Sequence, residues 1–367
     1  MRRPRFFRSV VNRRLCLVFC AALIVGVGDR VKGAEQEFVF HDAHFHLTNY
    51  VQEGTDIHTF LEIMGNTVGR SMLCGIPLQQ QWMYASTGDF APTYYTQTDA
   101  SLYYYSFTDA AIATAYLSLP DEDRHRFDPM ITGFNPTDMY AADHIRRVLT
   151  TFPGVFSGVG EFSIHKEFVS SKIAGEVATI DNRALDRILE FAGEAGLLVV
   201  LHCDVDMPFP RPGQDPYLVT KLRDLVARHP KTRIVWAHMG LGRVVRPVKN
   251  QLAMIERALE SDELTNRYFD ISWYETAKYV VSSPEAVDAT AELMERYPDR
   301  FLFGTDAVAP ETRESYLTTY KAYDPLFAKL RAETKSSLLK GNYERLFDEA
   351  RRRVRDWERA NVPPRRR

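Results

Sequence analysis

The chain has 367 residues, a formal net charge of −2, 45% hydrophobic residues and 26% charged residues. So even a charge balance leaves no footprint for a polyanion, which excludes nucleic acid as the main ligand. The apolar fraction is that of a packed globular core and excludes a disordered chain.

The N-terminus differs in kind from the rest. Arg2, Arg3, Arg5, Arg8, Arg13 and Arg14 precede an apolar stretch from Leu15 to Val27. That stretch is shorter than the roughly 20 residues of a standard membrane span. A basic start, a short apolar core and small residues at Gly33-Ala34 predict that residues 1–33 are an export signal, giving a periplasmic or secreted protein. Arg13-Arg14 would suit a twin-arginine signal, and Sec or Tat export stays open. The alternatives are an uncleaved anchor, or a cytoplasmic chain with a mis-assigned start codon. Cys16 and Cys20 fall in this segment, and Phe19 is too bulky to precede a lipidated cysteine. Only Cys74 and Cys203 remain beyond it, too few for a disulfide framework.

The first predicted strand, around Phe38-Val39-Phe40, runs into Asp42-Ala43-His44-Phe45-His46. Residues i and i+2 of a strand share a face, so His44 and His46 can hold one metal together. Ser71 to Ile76 reads as the second strand and Met130 to Phe134 as the third. Between them, a long loop from Pro77 to about Asp99 carries Gln79, Trp82, Tyr84, Tyr94 and Tyr95, with Tyr103, Tyr104 and Tyr105 following. This reads either as an aromatic wall over a substrate or as a loop packed on itself.

The fourth strand ends in Gly158-Val159-Gly160-Glu161, before a loop with His165, Lys166 and Glu167. Leu185, Ile188, Leu189 and Ala192 have helical spacing, and Gly196 stops that helix. The fifth strand, Leu198 to Leu201, closes on His202. Cys203 should then point away from the lumen as a buried, unreactive thiol. Helical patterns at Leu218, Leu222, Leu225 and Val226, and at Val248, Leu252, Ile255 and Leu259, flank a sixth strand, Ile234 to Ala237, that closes on His238. Tyr268 to Trp273 reads as the seventh strand, and Phe301 to Thr305 as the eighth, closing on Asp306. Ser336 to Trp357 is predicted as a terminal helix on the outside of the fold, and residues 351–367 as the helix end and a solvated basic tail.

The spacing of these strand ends fixes the fold class. His46 and Glu161 are 115 residues apart, Glu161 and His202 41, His202 and His238 36, and His238 and Asp306 68. A strand–helix unit of a (β/α)8 barrel averages roughly 31 residues before insertions. Residues 38–350 therefore predict one α/β (β/α)8 TIM barrel, with metal-ligating residue types at the C-terminal ends of strands 1, 4, 5, 6 and 8, the face that carries chemistry.

The motifs Asp42-Ala43-His44-Phe45-His46, Gly158-Val159-Gly160-Glu161, His202, Ala237-His238-Met239-Gly240, Gly304-Thr305-Asp306 and Lys340-Gly341-Asn342-Tyr343-Glu344-Arg345-Leu346-Phe347 together resemble the amidohydrolase superfamily. The likeness is to its amidohydrolase-related group, which also contains zinc-dependent decarboxylases. The resemblance implies one or two divalent ions, zinc first among them, held by residues among His44, His46, Glu161, His202, His238 and Asp306. Glu161 stands where relatives carry a bridging glutamate; it reads either as that bridge or as a carboxylate that orients a histidine ligand. Lys166, five residues further on, is not expected to be a carboxylated lysine.

Neutral imidazoles and carboxylates suit a catalytic divalent metal with an open position, and His44, His46, His202 and Asp306 could supply one set. Such a metal lowers the pKa of bound water towards about 7. Asp306 could accept the water's proton and pass it to the leaving group, and His238 could polarise a carbonyl or bind a second ion. Asp204, Asp206, Arg211 and Arg243 are candidates for polar contacts with substrate. The expected activity is metal-dependent hydrolysis of an amide, an ester or lactone, or a related bond in a small molecule. A metal-dependent non-oxidative decarboxylase of an aromatic or unsaturated acid is the alternative, and a non-catalytic binding protein on the same barrel is the third reading. The expected partner is a small-molecule substrate, with membrane contact only through an uncleaved signal and a homo-oligomer left open.

Overall fold

The structure, a computed structural model, describes residues 37–49, 53–76, 105–166, 178–206, 216–243, 245–248, 250–260 and 265–363. The segment expected to be an export signal, the tyrosine-rich loop from Pro77 to Asp99 with Tyr103 and Tyr104, Glu167, Arg211 and the last residues of the basic tail lie outside the described residues. Among the described residues, no helix is long and apolar enough to cross a membrane.

Among the described residues, ten strand segments form an eight-stranded and a two-stranded sheet: β1 Phe40–Asp42, β2 Phe45–His46, β3 Val68–Leu73, β4 Phe127–Ile131, β5 Gly158–Ile164, β6 Leu198–Cys203, β7 Ile234–Trp236, β8 Arg267–Asp270, β9 Phe301–Leu302 and β10 Ala307–Val308. β1 and β3 to β9 pair in chain order, all parallel. β2 pairs with β10, Phe45 facing Ala307 and His46 facing Val308, and the Ala43 amide donates to the Phe303 carbonyl at 3.0 Å. These contacts join the first and last staves: β1 with β2 form the first, β9 with β10 the eighth. The architecture is the α/β TIM barrel that the spacing predicts.

Period-two alternation decides which side chains enter the lumen. In β6, Val199, Leu201 and Cys203 join the core under the helices, while Leu198 and Val200 face the lumen. The next residue on the lumen face is His202. The Cys203 thiol is buried on the helix side, and burial pushes its pKa well up, so it stays protonated. The same logic alternates Tyr268 with Phe269 before Asp270, and Phe301 with Leu302 and Phe303.

The helices follow their apolar stripes. Arg183–Ala195 buries Leu185, Ile188, Leu189 and Ala192, is capped by the Asn182 side chain accepting from the Ala184 amide, and ends at Gly196 with φ 79°. That left-handed conformation is one that glycine adopts without a Cβ clash. Tyr217–Arg228 buries Leu218, Leu222, Leu225 and Val226.

The C-terminal helix, Asn342–Asn361, departs in part from expectation. Its first turns place Tyr343, Leu346, Phe347 and Ala350 in one cluster with the lumen residues Met72, Met130, Leu198, Val200, Val235 and Leu302, while its later turns lie on the outside as expected, Trp357 edge-on to Phe191 of the helix Arg183–Ala195. Its polar side ties to the strands: Arg70 bonds Asp348 at 2.6 Å, Arg233 pairs with Glu349, and the Tyr343 hydroxyl donates to Asp128 at 2.8 Å. The helix closes the barrel at the end opposite the metal-ligating residues, which leaves the C-terminal mouth for chemistry.

Candidate metal centre

The six candidate residues converge at the C-terminal strand ends, and all but Asp306 are at most 5% exposed. They form two sets. His44 Nε2, His46 Nε2, a Glu161 oxygen and an Asp306 oxygen lie within 4.8 Å of one another; so do ligand atoms of Glu161, His202 and His238. Glu161 belongs to both. Its Oε2 is 3.4 Å from His44 Nε2 and 3.3 Å from His46 Nε2, whereas its Oε1 is 2.8 Å from His202 Nδ1 and 3.7 Å from His238 Nε2. The grouping of His202 with His44, His46 and Asp306 is thereby corrected: His202 sits on the far side of Glu161, with His238.

The local backbone explains the convergence. Gly160 has φ 114°, and a Cβ there would run into the Val200 carbonyl of the neighbouring strand, so only glycine lets β5 turn Glu161 into the lumen. His238, Met239 and Asp306 also have positive φ, at 55°, 52° and 51°. Non-glycine residues held in that region cost free energy and cluster at functional sites. The Asp306 amide donates to the His44 carbonyl at 2.7 Å, fixing the two ligands across the seam between the first and eighth staves.

Residues outside the expected set orient the imidazoles. His44 Nδ1 is 3.0 Å from Asp270 Oδ2. His238 Nδ1 is 2.8 Å from Ser272 Oγ, which itself donates to Asp270 Oδ1. His46 Nδ1 is 3.1 Å from Cys74 Sγ, whose thiol donates to the Phe45 carbonyl. His202 Nε2 is 3.0 Å from Asp204 Oδ1. Asp42 accepts from the amides of His44 and Thr305 at 3.1 and 2.8 Å, and from the Thr305 and Tyr316 hydroxyls at 2.6 and 2.8 Å.

These partners test whether a metal fits. Each ring has one nitrogen against a group that can only accept, or whose hydrogen is already given elsewhere, so that nitrogen carries the imidazole proton. The other nitrogen of every ring then presents a lone pair to carboxylate oxygens. Lone pairs facing lone pairs repel unless a proton or a cation stands between them. His44 Nε2 and His238 Nε2 are buried without a hydrogen-bond partner. Burial opposes charge on His44 and His46, yet the surrounding acceptors, Asp306 and Asp270 for His44 and Cys74 and Asp306 for His46, outweigh it and raise both pKa values well above the ordinary imidazole range. Burial likewise opposes ionisation of Glu161, but the Lys166 ammonium and the surrounding histidines hold it well below the usual carboxylate range. The cluster calls for positive charge at its centre, and its donor set can hold a metal.

The other expected contacts divide. Asp204 is a buried partner of His202, and Asp206 accepts from the Tyr217 amide at 3.3 Å. His165 fastens its loop, its ring accepting from the Ile180 amide at 3.0 Å and its carbonyl from the Asp204 amide at 3.1 Å. Lys166 Nζ is 3.3 Å from Glu161 Oε1. Arg243 is exposed at the mouth. Asp270 and Ser272 were open to discovery in the sequence: they repeat the i, i+2 spacing of His44 and His46 at the end of the seventh predicted strand.

A TIM barrel with clustered histidines and carboxylates at its C-terminal mouth defines a class, metal-site enzymes of the barrel type. The amidohydrolase family model matches residues 41–348, and the chain belongs to the amidohydrolase family. Among solved structures, a candidate 2-pyrone-4,6-dicarboxylic acid hydrolase of Pseudomonas putida is 17% identical, with TM-score 0.51 over 85% of this chain and 98% of that one. A TIM-barrel protein of Bordetella bronchiseptica is 15% identical, with TM-score 0.50 over 84% of this chain and 99% of that one. A protein of Agrobacterium tumefaciens in its apo form is 12% identical, with TM-score 0.51 over 85% and 96%. At these identities the likeness is one of fold. No curated protein matches the chain.

Proposed function

We propose that this protein is a metal-dependent hydrolase that cleaves an amide, an ester or lactone, or a related bond of a small molecule, and that it holds two divalent ions, zinc in the first instance. The observation that carries this reading is the position of Glu161, one oxygen towards His44 and His46, the other towards His202 and His238. One carboxylate shared by two ligand sets favours two ions and water chemistry over the carboxylate-binding chemistry of a decarboxylase.

Bound there, divalent ions supply Lewis acidity and make water a nucleophile near neutral pH. The chain's own residues do the rest. His44, His46, Glu161 and Asp306 would hold one ion, and His202 and His238 would share Glu161 for the other. Asp270 and Ser272 keep protons on the Nδ1 atoms of His44 and His238, so that each Nε2 lone pair points to the centre. Asp306 takes a proton from the attacking water on its carboxylate as the water oxygen bonds to the carbonyl carbon. It returns that proton to the leaving nitrogen or oxygen as the bond to carbon breaks.

Metal analysis and an activity panel test the reading. Zinc-loaded protein should carry two equivalents, and His44→Ala and His202→Ala should each lose one, from different sets. Full metal in both variants would remove the basis of the proposal. A panel of amides, lactones, phosphoesters and aromatic acids then separates hydrolysis from release of carbon dioxide.

A further inference from the structure

The end of the barrel away from the metal centre holds a buried charge that the fold leaves unanswered. Arg267 is the first residue of β8, beside Ile234 of β7 and three residues before the Asp270 that orients His44. Tyr268 faces the lumen and Phe269 the helices, so strand alternation turns Arg267 to the helix side. Asn266 fixes the start of the strand: its Nδ2 donates to the His229 and Thr232 carbonyls, just past the helix Tyr217–Arg228, at 2.9 and 2.8 Å. Arg267 is 2% exposed.

Nε and Nη2 make one edge of a guanidinium, a flat fork of two N–H groups that suits an oxyanion. Elsewhere in this protein that edge is occupied. Arg70 sets Nε and Nη2 on Asp128 at 3.2 and 2.8 Å, and Arg228 sets them on Asp186 at 3.3 and 3.0 Å. Arg126 donates instead to the carbonyls of Gly65, Val68 and Gly69. At Arg267 both atoms of the edge are buried and, among the described residues, neither has a hydrogen-bond partner. The nearest charge of consequence is another cation, the exposed Arg223 of the helix Tyr217–Arg228, whose own partner is its sequence neighbour Asp224 at 3.0 Å. Burial, and then Arg223, push the Arg267 pKa down to about 10, so it is still charged at neutral pH. A buried charge with no counter-charge costs free energy that an incoming anion would recover.

We propose that the empty fork of Arg267, with Arg223 beside it, is an anion site in the outer wall of the barrel that takes inorganic phosphate. A tetrahedral dianion gives two oxygens to the fork and keeps two for Arg223 and water. A carboxylate would place both of its oxygens on the fork and leave Arg223 with nothing. The depth of Arg267 favours the bare ion over an ester that carries a further body. No ligand of the metal centre takes part, so the site stands or falls separately from the hydrolase reading.

Thermal unfolding of the zinc-loaded protein tests it, in chloride, acetate, phosphate and phenyl phosphate at one ionic strength. Phosphate stabilises folded proteins in general and can also reach the metal centre, so the readout is the difference between wild type and variant, in which those effects cancel. At about ten times its dissociation constant, phosphate should raise the wild-type midpoint by roughly 2–4 °C more than that of Arg267→Met. In chloride, Arg267→Met should melt no lower than wild type, because it removes an unpaired buried charge and keeps an apolar stem in its place. Arg267→Lys keeps the charge without the fork and should lose most of the extra rise; Arg223→Gln should lose part of it. Equal phosphate shifts in wild type, Arg267→Met and Arg267→Lys would overturn the proposal, leaving a guanidinium that water alone satisfies. An Arg267→Met protein that melts well below wild type in chloride would overturn it too, since the charge would then have a partner within the chain. Acetate acting as strongly as phosphate would sink the phosphate assignment, and phenyl phosphate acting as strongly would sink the bare ion.

Discussion

Asp306 shows how much one side chain is asked to do. It stands among the ligands, with Oδ1 3.1 Å from His46 Nε2, and its other oxygen lies 3.9 Å from His238 Nε2. Burial opposes its charge, but His44, His46 and His238 outweigh it and hold its pKa below the ordinary aspartate value. It is therefore ionised, the form a proton acceptor needs, although the same histidines weaken it as a base. Asp306→Asn keeps the shape and removes most of the basicity, while His44, His46 and Glu161 remain to hold an ion. The variant should fold normally, retain substantial zinc and lose on the order of 10²–10⁴-fold in turnover. Near-normal turnover would pass the proton-carrying role to His238. At this scale the ligand types were legible in the sequence because each closes an apolar run. What was not legible is their partition. Whether His202 sits with His46 or across Glu161 from it depends on the stagger of adjacent strands and on the turn at Gly160, and one-dimensional spacing carries neither. The orienting partner Cys74 was hidden for a related reason: it acts through three-dimensional contact with a ring 28 residues away.

Whole elements were read best where both faces of a strand are apolar. β6 and the helix Arg183–Ala195 fall where the hydrophobic run and the Gly196 stop put them. β3 and β4 begin several residues earlier than expected, at Val68 and Phe127. Arg70, Asp128 and Pro129 look like breakers, but Arg70 and Arg351 neutralise the buried Asp128 and the Tyr343 hydroxyl donates to it. The charges that disguise these strands are the ones that receive the C-terminal helix. That helix was expected on the outside because its amphipathic pattern says that one stripe is buried and cannot say against what. Its first turns close the barrel end and its later turns cover the outer helices. Phe347 is fully buried and stacks on Tyr343 with ring centroids 4.1 Å apart. Phe347→Ala should cost about 3–5 kcal/mol in denaturant unfolding, the range for a buried aromatic truncated in a close-packed core. Exposed helix positions such as Arg352 or Arg359 should cost well under about 1 kcal/mol when changed to alanine. A small effect at Phe347 would mean that the helix can leave the barrel end without disturbing the staves.

At the scale of the molecule, the proposed metal centre would also be a fastening. Its ligands come from the first, fourth, fifth, sixth and eighth staves, and His44 and Asp306 meet at the seam where the sheet closes on itself. There the ladder is short, two residues of β2 against two of β10. An ion held across that seam binds the folded barrel and finds no such preformed set in the unfolded chain, so its binding free energy adds to stability. With free zinc about 100-fold above its dissociation constant, one site adds ~2.7 kcal/mol. For a chain of this size that moves the unfolding midpoint by roughly 5 °C, and two filled sites should move it further. Removing the metal with a chelator should lower the midpoint by that amount, and restoring zinc should return it. The two ligand sets predict different responses. His202→Ala removes a ligand from the set away from the seam and should leave part of the zinc-dependent rise. His44→Ala breaks the set that spans the seam and should remove the larger share. A midpoint indifferent to zinc in the wild-type protein would show that the cluster holds no ion in the folded state, whatever its geometry permits. Equal residual rises in the two variants would show that the ion at the seam fastens the barrel no more than its neighbour does.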